Sequence, residues 1–446
     1  MQPKLLTKND MAEDQLGAMD MILSFISSPG QQEMMVEGPA GTGKTSMIRA
    51  TIQQLPAEVR ERCIVCAPTN KAVKVARELS GGLVETTTIF KFLGLSPQPN
   101  GEVKEIKQSD SDFVHKRMLS YDIVVMDEGS MGGSALRPYI QRAMMDYGIK
   151  FIYIGDRYQL PPVGEPLSFT FETRANVRLT KVKRHDNAIL NLATHIRDVL
   201  DNGGKGLVIE ENWSEQEGGV RLLKSKRGFD AEIVEHWTQI KESGEMDFSG
   251  SRILAWRNAR VNAYNELIRE LIYGRREARQ AGLMQGERVV VCNPVTSLQD
   301  KTVTLMHTDE EGFVESIEVA PHPDYPEIEC YKMVIRREMN NARCGVYAPT
   351  ERGWRIANRQ LDKLKSLAMN KDRTFWGAFW ALKEKLNDVR PCHALTTHRS
   401  QGSTFRNTYV DLDDILMNDN RIESLKSAYV AITRASHTVT VLWKGF

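Results

Sequence analysis

The stretch Gly38-Pro39-Ala40-Gly41-Thr42-Gly43-Lys44-Thr45 decides the fold. An apolar run, Met34-Met35-Val36, leads into it, and a helical run, Ser46-Met47-Ile48-Arg49-Ala50-Thr51-Ile52, leaves it. This is the G-x-x-x-x-G-K-[ST] pattern in the strand–loop–helix setting that gives it meaning. The glycines let the chain turn tightly, so that successive N–H groups converge on phosphate oxygens. Gly38, Pro39, Ala40, Gly41, Thr42, Gly43, Lys44 and Thr45 are therefore the candidate nucleotide-binding residues. Lys44 suits the β- and γ-phosphates, the Thr45 hydroxyl suits Mg²⁺, and the helix N-terminus adds its positive end.

Working outward, two further apolar runs end in chemistry. Ile123-Val124-Val125-Met126 delivers Asp127 and Glu128, as a buried parallel strand delivers acids to the ligand edge of its sheet. Asp127 stands where a carboxylate holds Mg²⁺, and Glu128 where one orients or deprotonates the attacking water. An ATPase is favoured over a simple nucleotide switch. Phe151-Ile152-Tyr153-Ile154 leads to Gly155-Asp156-Arg157-Tyr158-Gln159, whose glutamine is placed to sense a γ-phosphate. Ahead of the phosphate loop, a helical run carries Gln15, either a solvated residue or an amide that pairs with adenine.

Other segments suit nucleic acid. Ala67-Pro68-Thr69-Asn70 is a strand running into a polar turn, and Thr86 to Leu93 mixes hydroxyls with Lys91, Phe90 and Phe92. One of those two phenylalanines is expected to be core. Asn100-Gly101 between short alternating runs predicts a β-hairpin. Residues 286–350 read as a small barrel and 355–387 as helical, with the aromatic cluster Phe375-Trp376-Gly377-Ala378-Phe379-Trp380. Ala394 to Thr404 is dense in small donors. Tyr429-Val430-Ala431-Ile432-Thr433-Arg434 is an apolar helix ending in an arginine, which either complements the helix dipole or reaches a nucleotide as a finger.

The 446 residues allow two to four domains, and a net charge of +1 means that a nucleic-acid site must be a local groove. No apolar run reaches membrane-spanning length and no leader is evident, so the expectation is a cytoplasmic protein without membrane association. Of the six cysteines, Cys63 and Cys66 form a CxxC without partners for zinc, and they read as a buried strand.

The segments GPAGTGKT, APTNKA, TTTIFKFL, VVMDEGSM, GDRYQLPPV, VKR, THRSQGST and YVAITRA, in that order, resemble those of superfamily 1 DNA helicases. The resemblance is to the RecD-like branch, and within it to the Dda-type enzymes of T4-like phages. It implies an α/β fold of two RecA-like parallel-sheet domains. A hairpin is inserted in the first, and an SH3-like β-barrel with a helical extension in the second. The implied boundaries are 1–175 with the hairpin at about 95–113, 176–275 with 392–446, and 276–391. ATP and Mg²⁺ are the implied cofactors, and single-stranded and forked DNA the implied partners. A single-strand-binding or replication/recombination protein is a further candidate partner, and action as a monomer is expected, in the host-cell cytoplasm if the chain is phage-encoded.

Residue by residue, the resemblance makes Lys44, Glu128, Gln159, Arg184 and Arg434 catalytic, with Asp127 and Thr45 on the metal and Gln15 on adenine. Gln401 and Gly402 would couple ATP to DNA. Thr69, Asn70, Thr88, Phe90, Pro97, His398, Ser400 and Thr404 would line the DNA track. Asn100, Val103 and Lys104 would form a separating pin, braced by Trp376 and Trp380. The implied polarity is 5′→3′. The hairpin offers no aromatic residue for stacking, so translocation is more firmly implied than unwinding. The alternatives are a phosphate-loop NTPase switch and a nucleic-acid-binding ATPase that separates no strands.

Overall fold

A computed structural model of the chain describes residues 11–97, 103–105, 111–180, 188–243, 248–280, 282–297, 304–338, 340–370, 372 and 374–445. Two compact units divide it: residues 1–225 with 400–446, and residues 226–399. These divisions cut across the expected boundaries near 175, 275 and 391.

The first unit is built on strands β1 (Glu33–Glu37), β2 (Cys63–Ala67), β3 (Glu85–Thr88), β6 (Ile123–Met126), β7 (Lys150–Gly155) and β8 (Asn176–Arg178). β4 (Leu95–Pro97) and β5 (Val103–Glu105) form the hairpin between them. The six strands pair in parallel in the order β3-β2-β6-β7-β1-β8. Every residue of β2 and β6 is buried, as expected for strands covered on both faces. Met35, Cys66, Met126 and Phe151 face one core, while Val36, Cys63, Val65, Ile152 and Ile154 face the other. Cys63 and Cys66 are thus core residues, and burial pushes the Cys63 thiol up to about 12. Because the strands run in parallel, the loops after β1, β2, β6 and β7 emerge at one edge.

The hairpin register is Leu95↔Glu105, Ser96↔Lys104 and Pro97↔Val103. Its turn, including Asn100, lies outside the described residues. Phe92 is fully buried and Phe90 only partly so, which settles which of the pair is core. Two further strands of this unit are β9 (Asn212–Ser214) and β10 (Gly218–Leu223).

The second unit pairs β11 (Ser251–Ala255) in parallel with β19 (Ala394–Thr396). Asn265, on the helix Asn258–Tyr273, clips β19 with both ends of its amide: Nδ2 donates to the Ala394 carbonyl at 3.1 Å, and Oδ1 accepts the Ala394 N–H at 2.8 Å. Between these strands the chain forms β12 (Arg288–Val291), β13 (Val295–Thr296), β14 (Thr304–Met306), β15 (Glu311–Pro321), β16 (Glu329–Arg337), β17 (Arg343–Pro349) and β18 (Val389–Pro391). β13 and β14 make a small ribbon. The others form an antiparallel sheet in the order β17-β16-β15-β12-β18. Asn387 ties the region before β18 to β17: its N–H donates to the Tyr347 carbonyl at 3.4 Å and its Oδ1 accepts the Tyr347 N–H at 3.3 Å. The helices Glu351–Asn370 and Phe375–Lys383 form the helical extension. Phe379 stands edge-on to both Trp376 and Trp380, and Lys383 lies over Phe379 and Trp380.

A buried ionic cluster fastens this sheet to β11. Arg252, with 0% exposure, donates to Glu311 at 2.5 Å, and Arg288 donates to the same carboxylate oxygen from Nε at 3.0 Å and Nη2 at 2.8 Å. Arg269 pairs with Glu287 at 2.5 Å nearby. His393 is buried among these arginines, and desolvation with their charge pulls its pKa down to about 3.

The chain then returns to the first unit as β20 (Phe405–Asp411) and β21 (Ala435–Leu442), which continue the parallel order β20-β21-β10, with β9 antiparallel at the edge. The helix Arg421–Thr433 lies between them in sequence. Among the described residues no helix is long and apolar enough to cross a membrane.

Candidate nucleotide site

The phosphate loop leaves β1 and turns into the helix Lys44–Gln54 through Gly41 and Gly43, both left-handed at φ 84° and 71°. Lys44 Nζ donates to the Gly38 carbonyl and, at 3.0 Å, to the Pro39 carbonyl. Thr42 Oγ1 donates to the Pro39 carbonyl at 2.8 Å, closing the loop on itself.

Gln15, expected to read adenine, has its amide engaged within the protein. It is 1% exposed, its Nε2 donates to the Thr42 carbonyl at 2.7 Å, and its Oε1 accepts the Ala12 N–H at 2.9 Å. Both ends of the amide are engaged by backbone, so the residue braces the phosphate loop.

Asp127 and Glu128 follow β6 directly. The Glu128 N–H donates to Asp127 Oδ1 at 2.9 Å, and Glu128 adopts φ 51°, a left-handed conformation unusual for a side chain of its size. Burial raises the Asp127 pKa, opposed by that N–H and by Lys44. Burial, then the neighbouring Asp127, pushes Glu128 up to about 7, against the charges of Arg434 and Lys44. Thr45 and Asp127 line one small cavity. A hydroxyl and a carboxylate are hard oxygen donors of the kind Mg²⁺ accepts beside water and phosphate oxygens, so these residues fit that ion.

After β7, Asp156 is 1% exposed and its Oδ1 accepts the Tyr158 N–H at 3.1 Å. Gln159 is buried with an amide oxygen that has no hydrogen-bond partner among the described residues, an acceptor suited to an attacking water. Gln401 Nε2 lies 3.5 Å from the adjacent Leu160 carbonyl, which brings Gln401 to the Gln159 loop.

The helix Arg421–Thr433 completes the site. Arg434 is buried, donating to the Val430 carbonyl at 3.2 Å and the Ser403 carbonyl at 3.1 Å. Burial lowers its pKa and the charge of Glu128 opposes that shift, so the guanidinium lies within electrostatic reach of the acid pair. Tyr429 and Asp156 belong to this site although the sequence reading gave them no role. The signal for Tyr429 was a phenol in an otherwise apolar helix near Arg434. For Asp156 it was a carboxylate directly after a buried strand, as Asp127 is. Arg184 lies outside the described residues.

The expected DNA residues are placed unevenly. Thr69 Oγ1 accepts the Ala72 N–H at 3.2 Å and Thr88 Oγ1 the Lys91 N–H at 3.1 Å, so both hydroxyls cap short helical starts. Asn70 opens the helix Asn70–Ser80, and Gly402, at φ 71°, sits where a Cβ would lie 3.6 Å from Ala72. The segments around Asn70 and Gln401 are therefore adjacent. Thr404 is exposed and His398 half-buried. Ser400 is fully buried, which withdraws its hydroxyl from a DNA track. Pro97 and Lys104 occupy the hairpin strands, and Val103 packs against the core below them.

Two family models match the chain: an AAA domain over residues 11–225 and a UvrD-like helicase C-terminal domain over residues 391–442. The ATP-dependent DNA helicase Dda of Enterobacteria phage T4 is 24% identical over 461 residues, spanning 97% of this chain and 99% of Dda. The chain is similar over nearly its whole length to superfamily 1 helicases of the Pif1/Dda type. An uncharacterized protein, R530, of Acanthamoeba polyphaga mimivirus is 26% identical over 93% of this chain and 96% of its own length. In fold, the chain resembles a Bacteroides Pif1 helicase in complex with ADP-AlF3 and ssDNA, with TM-score 0.51 at 15% identity, over 100% of this chain and 94% of that one. A Pif1 helicase from a study of unwinding at forked duplex DNA by two coordinating copies gives TM-score 0.54 at 16% identity, over 98% and 92%. This chain thus carries the parallel-sheet architecture of those structures.

Proposed function

We propose that the chain is an ATP-dependent DNA helicase that moves 5′→3′ along single-stranded DNA and parts the duplex ahead of it. The carrying observation is that the phosphate loop, the Asp127–Glu128 pair, the Gln159 loop and the helix bearing Arg434 meet at one edge of one sheet. Bound ATP supplies the γ-phosphoryl group to be transferred. Lys44 and the loop N–H groups hold phosphate, Thr45 and Asp127 hold Mg²⁺, and Glu128 takes a proton from the attacking water. Gln159 orients that water through its amide oxygen. Arg434 offsets charge that develops in the transition state.

The loops carrying Thr69, Asn70, Gln401 and Thr404 are proposed to grip DNA, with Gln401 and Gly402 passing the state of the nucleotide to that grip. Arg184 as a second finger, the pin at Asn100 and its bracing by Trp376 and Trp380 remain parts of this proposal. Dda, which aligns over nearly the whole chain, is named an ATP-dependent DNA helicase, and this supports the reading. We further place the enzyme as a monomer in the host-cell cytoplasm, working beside a single-strand-binding or replication protein.

Strand displacement on paired substrates, one with a 5′ tail and one with a 3′ tail, tests the proposal. Displacement of the 5′-tailed substrate alone is expected. Displacement of only the 3′-tailed substrate reverses the polarity, and ATP hydrolysis without displacement of either favours a translocating ATPase that separates no strands.

A further inference from the structure

The helix Arg421–Thr433 is almost wholly enclosed, with Leu425, Ala428, Val430, Ala431 and Ile432 all at 0% exposure. Tyr429 is equally buried, and a phenol so placed needs hydrogen-bond partners. It has two. Its oxygen accepts the N–H of Ala40, in the phosphate loop, at 2.9 Å, and its hydroxyl donates to Asp156 Oδ2 at 2.6 Å. The Asp156 carbonyl in turn accepts the Gln159 N–H at 3.1 Å. One phenol thus joins the phosphate loop, the loop of Gln159 and the helix that ends at Arg434.

We propose that Tyr429 is a positioning residue that reports the state of the phosphate loop to the Arg434 helix, by yielding the Ala40 N–H to a nucleotide phosphate oxygen. The proposal rests on the ATPase reading above and gives it a moving part. An N–H has one hydrogen, so the phenol oxygen and a phosphate oxygen compete for it. The phosphate oxygen is charged and makes the stronger bond. When it takes the N–H, Tyr429 keeps Asp156 and loses the phosphate loop. Through Tyr429 the helix is then tied to the Gln159 loop and no longer to the phosphate loop, and Arg434 can exchange its carbonyl partners for the phosphates.

Tyr429→Phe in the full chain tests this, because it keeps the ring and removes only the oxygen. Binding of a fluorescent ADP analogue is expected to tighten threefold to tenfold, since the competitor is gone. Stimulation of kcat by single-stranded DNA is expected to fall at least fivefold. Unchanged or weaker ADP binding overturns the proposal, as a merely structural phenol would leave affinity alone and lower only the melting temperature. Should the variant not fold, hydrogen exchange on the unaltered chain decides instead: ADP is expected to alter protection in residues 421–434 as well as 38–45, and a response confined to 38–45 overturns it. Absence of DNA stimulation in the unaltered chain would count against the helicase reading alone, because the ADP measurements do not involve DNA.

Discussion

Glu128 donates its backbone N–H to the carboxylate of Asp127 at 2.9 Å; that bond holds the Asp127 pKa down against burial, while the Asp127 charge adds to burial in raising the pKa of Glu128. The left-handed turn at Glu128 accompanies this bond, and the proposed mechanism gives the two acids different tasks, one on a cation and one on water. With Glu128 held at about 7, its base form is gained as the pH rises through neutrality. The kcat for ATP hydrolysis should therefore climb between about pH 6 and 8 and level off above. Glu128→Gln should lower kcat by about 10²–10⁴-fold and remove that rise. The linkage sign is also fixed: a carboxyl whose folded pKa lies above its unfolded value stabilises less as pH rises through that window, so at pH 8 the Gln variant should melt higher than the native chain. Calorimetry at pH 6 and pH 8 checks it.

Arg434 is buried beside the acid pair and, among the described residues, donates to neutral oxygens of Val430, Ser403 and Thr433. Arg434→Ala should reduce ATP turnover by about 10³-fold, the scale of a finger, and change affinity for single-stranded DNA by less than about threefold. Equal loss of both, measured by coupled ATPase assay and fluorescence anisotropy, would mean that the residue acts as a structural element.

Gln15 braces the loop in this structure. Gln15→Ala removes two buried hydrogen bonds and should raise KM by roughly tenfold for ATP and GTP alike. Selective loss for ATP would instead restore the adenine-reading role.

Gly43 combines φ 71° with a Cβ position only 2.5 Å from Gln15 Nε2. Gly43→Ala should weaken nucleotide binding by at least about tenfold, from backbone strain of roughly 1–2 kcal/mol plus the displaced amide. Equilibrium binding of a fluorescent nucleotide measures this, and Lys44→Ala should abolish turnover in the same assay series.

Glu311 is the common acceptor of Arg252 and Arg288. Glu311→Ala removes the carboxylate shared by two buried guanidinium groups, leaving Glu338 to Arg288 and backbone carbonyls to Arg252, and should cost about 3–5 kcal/mol of stability in the unit spanning residues 226–399. Urea denaturation followed by tryptophan fluorescence, which reports on the buried Trp237, is the measurement.

The first sheet was legible because each of β1, β6 and β7 is an apolar run ending in a chemical residue, and local pattern carries both facts. The buried strand of Cys63 and Cys66 was readable for the same reason. The hairpin pairing followed from its turn signal. What local pattern did not carry was which side chains meet across distance: Gln15 with the Thr42 carbonyl, Tyr429 with Ala40, Arg252 with Glu311. Nothing in the sequence near Ser400 separates a hydroxyl facing DNA from one packed inside, since small polar residues serve both purposes. The ionic cluster escaped because buried arginines look like surface ones until their acceptors are known.

Ala40 and Tyr429 are 389 positions apart, yet they share one hydrogen bond. A ribosome making this chain releases the helix of Arg434 long after the phosphate loop has emerged. A copy that stops short of residue 421 therefore keeps the phosphate loop but lacks Tyr429 and Arg434. On the role proposed for Arg434, ATP turnover waits until that helix has been made.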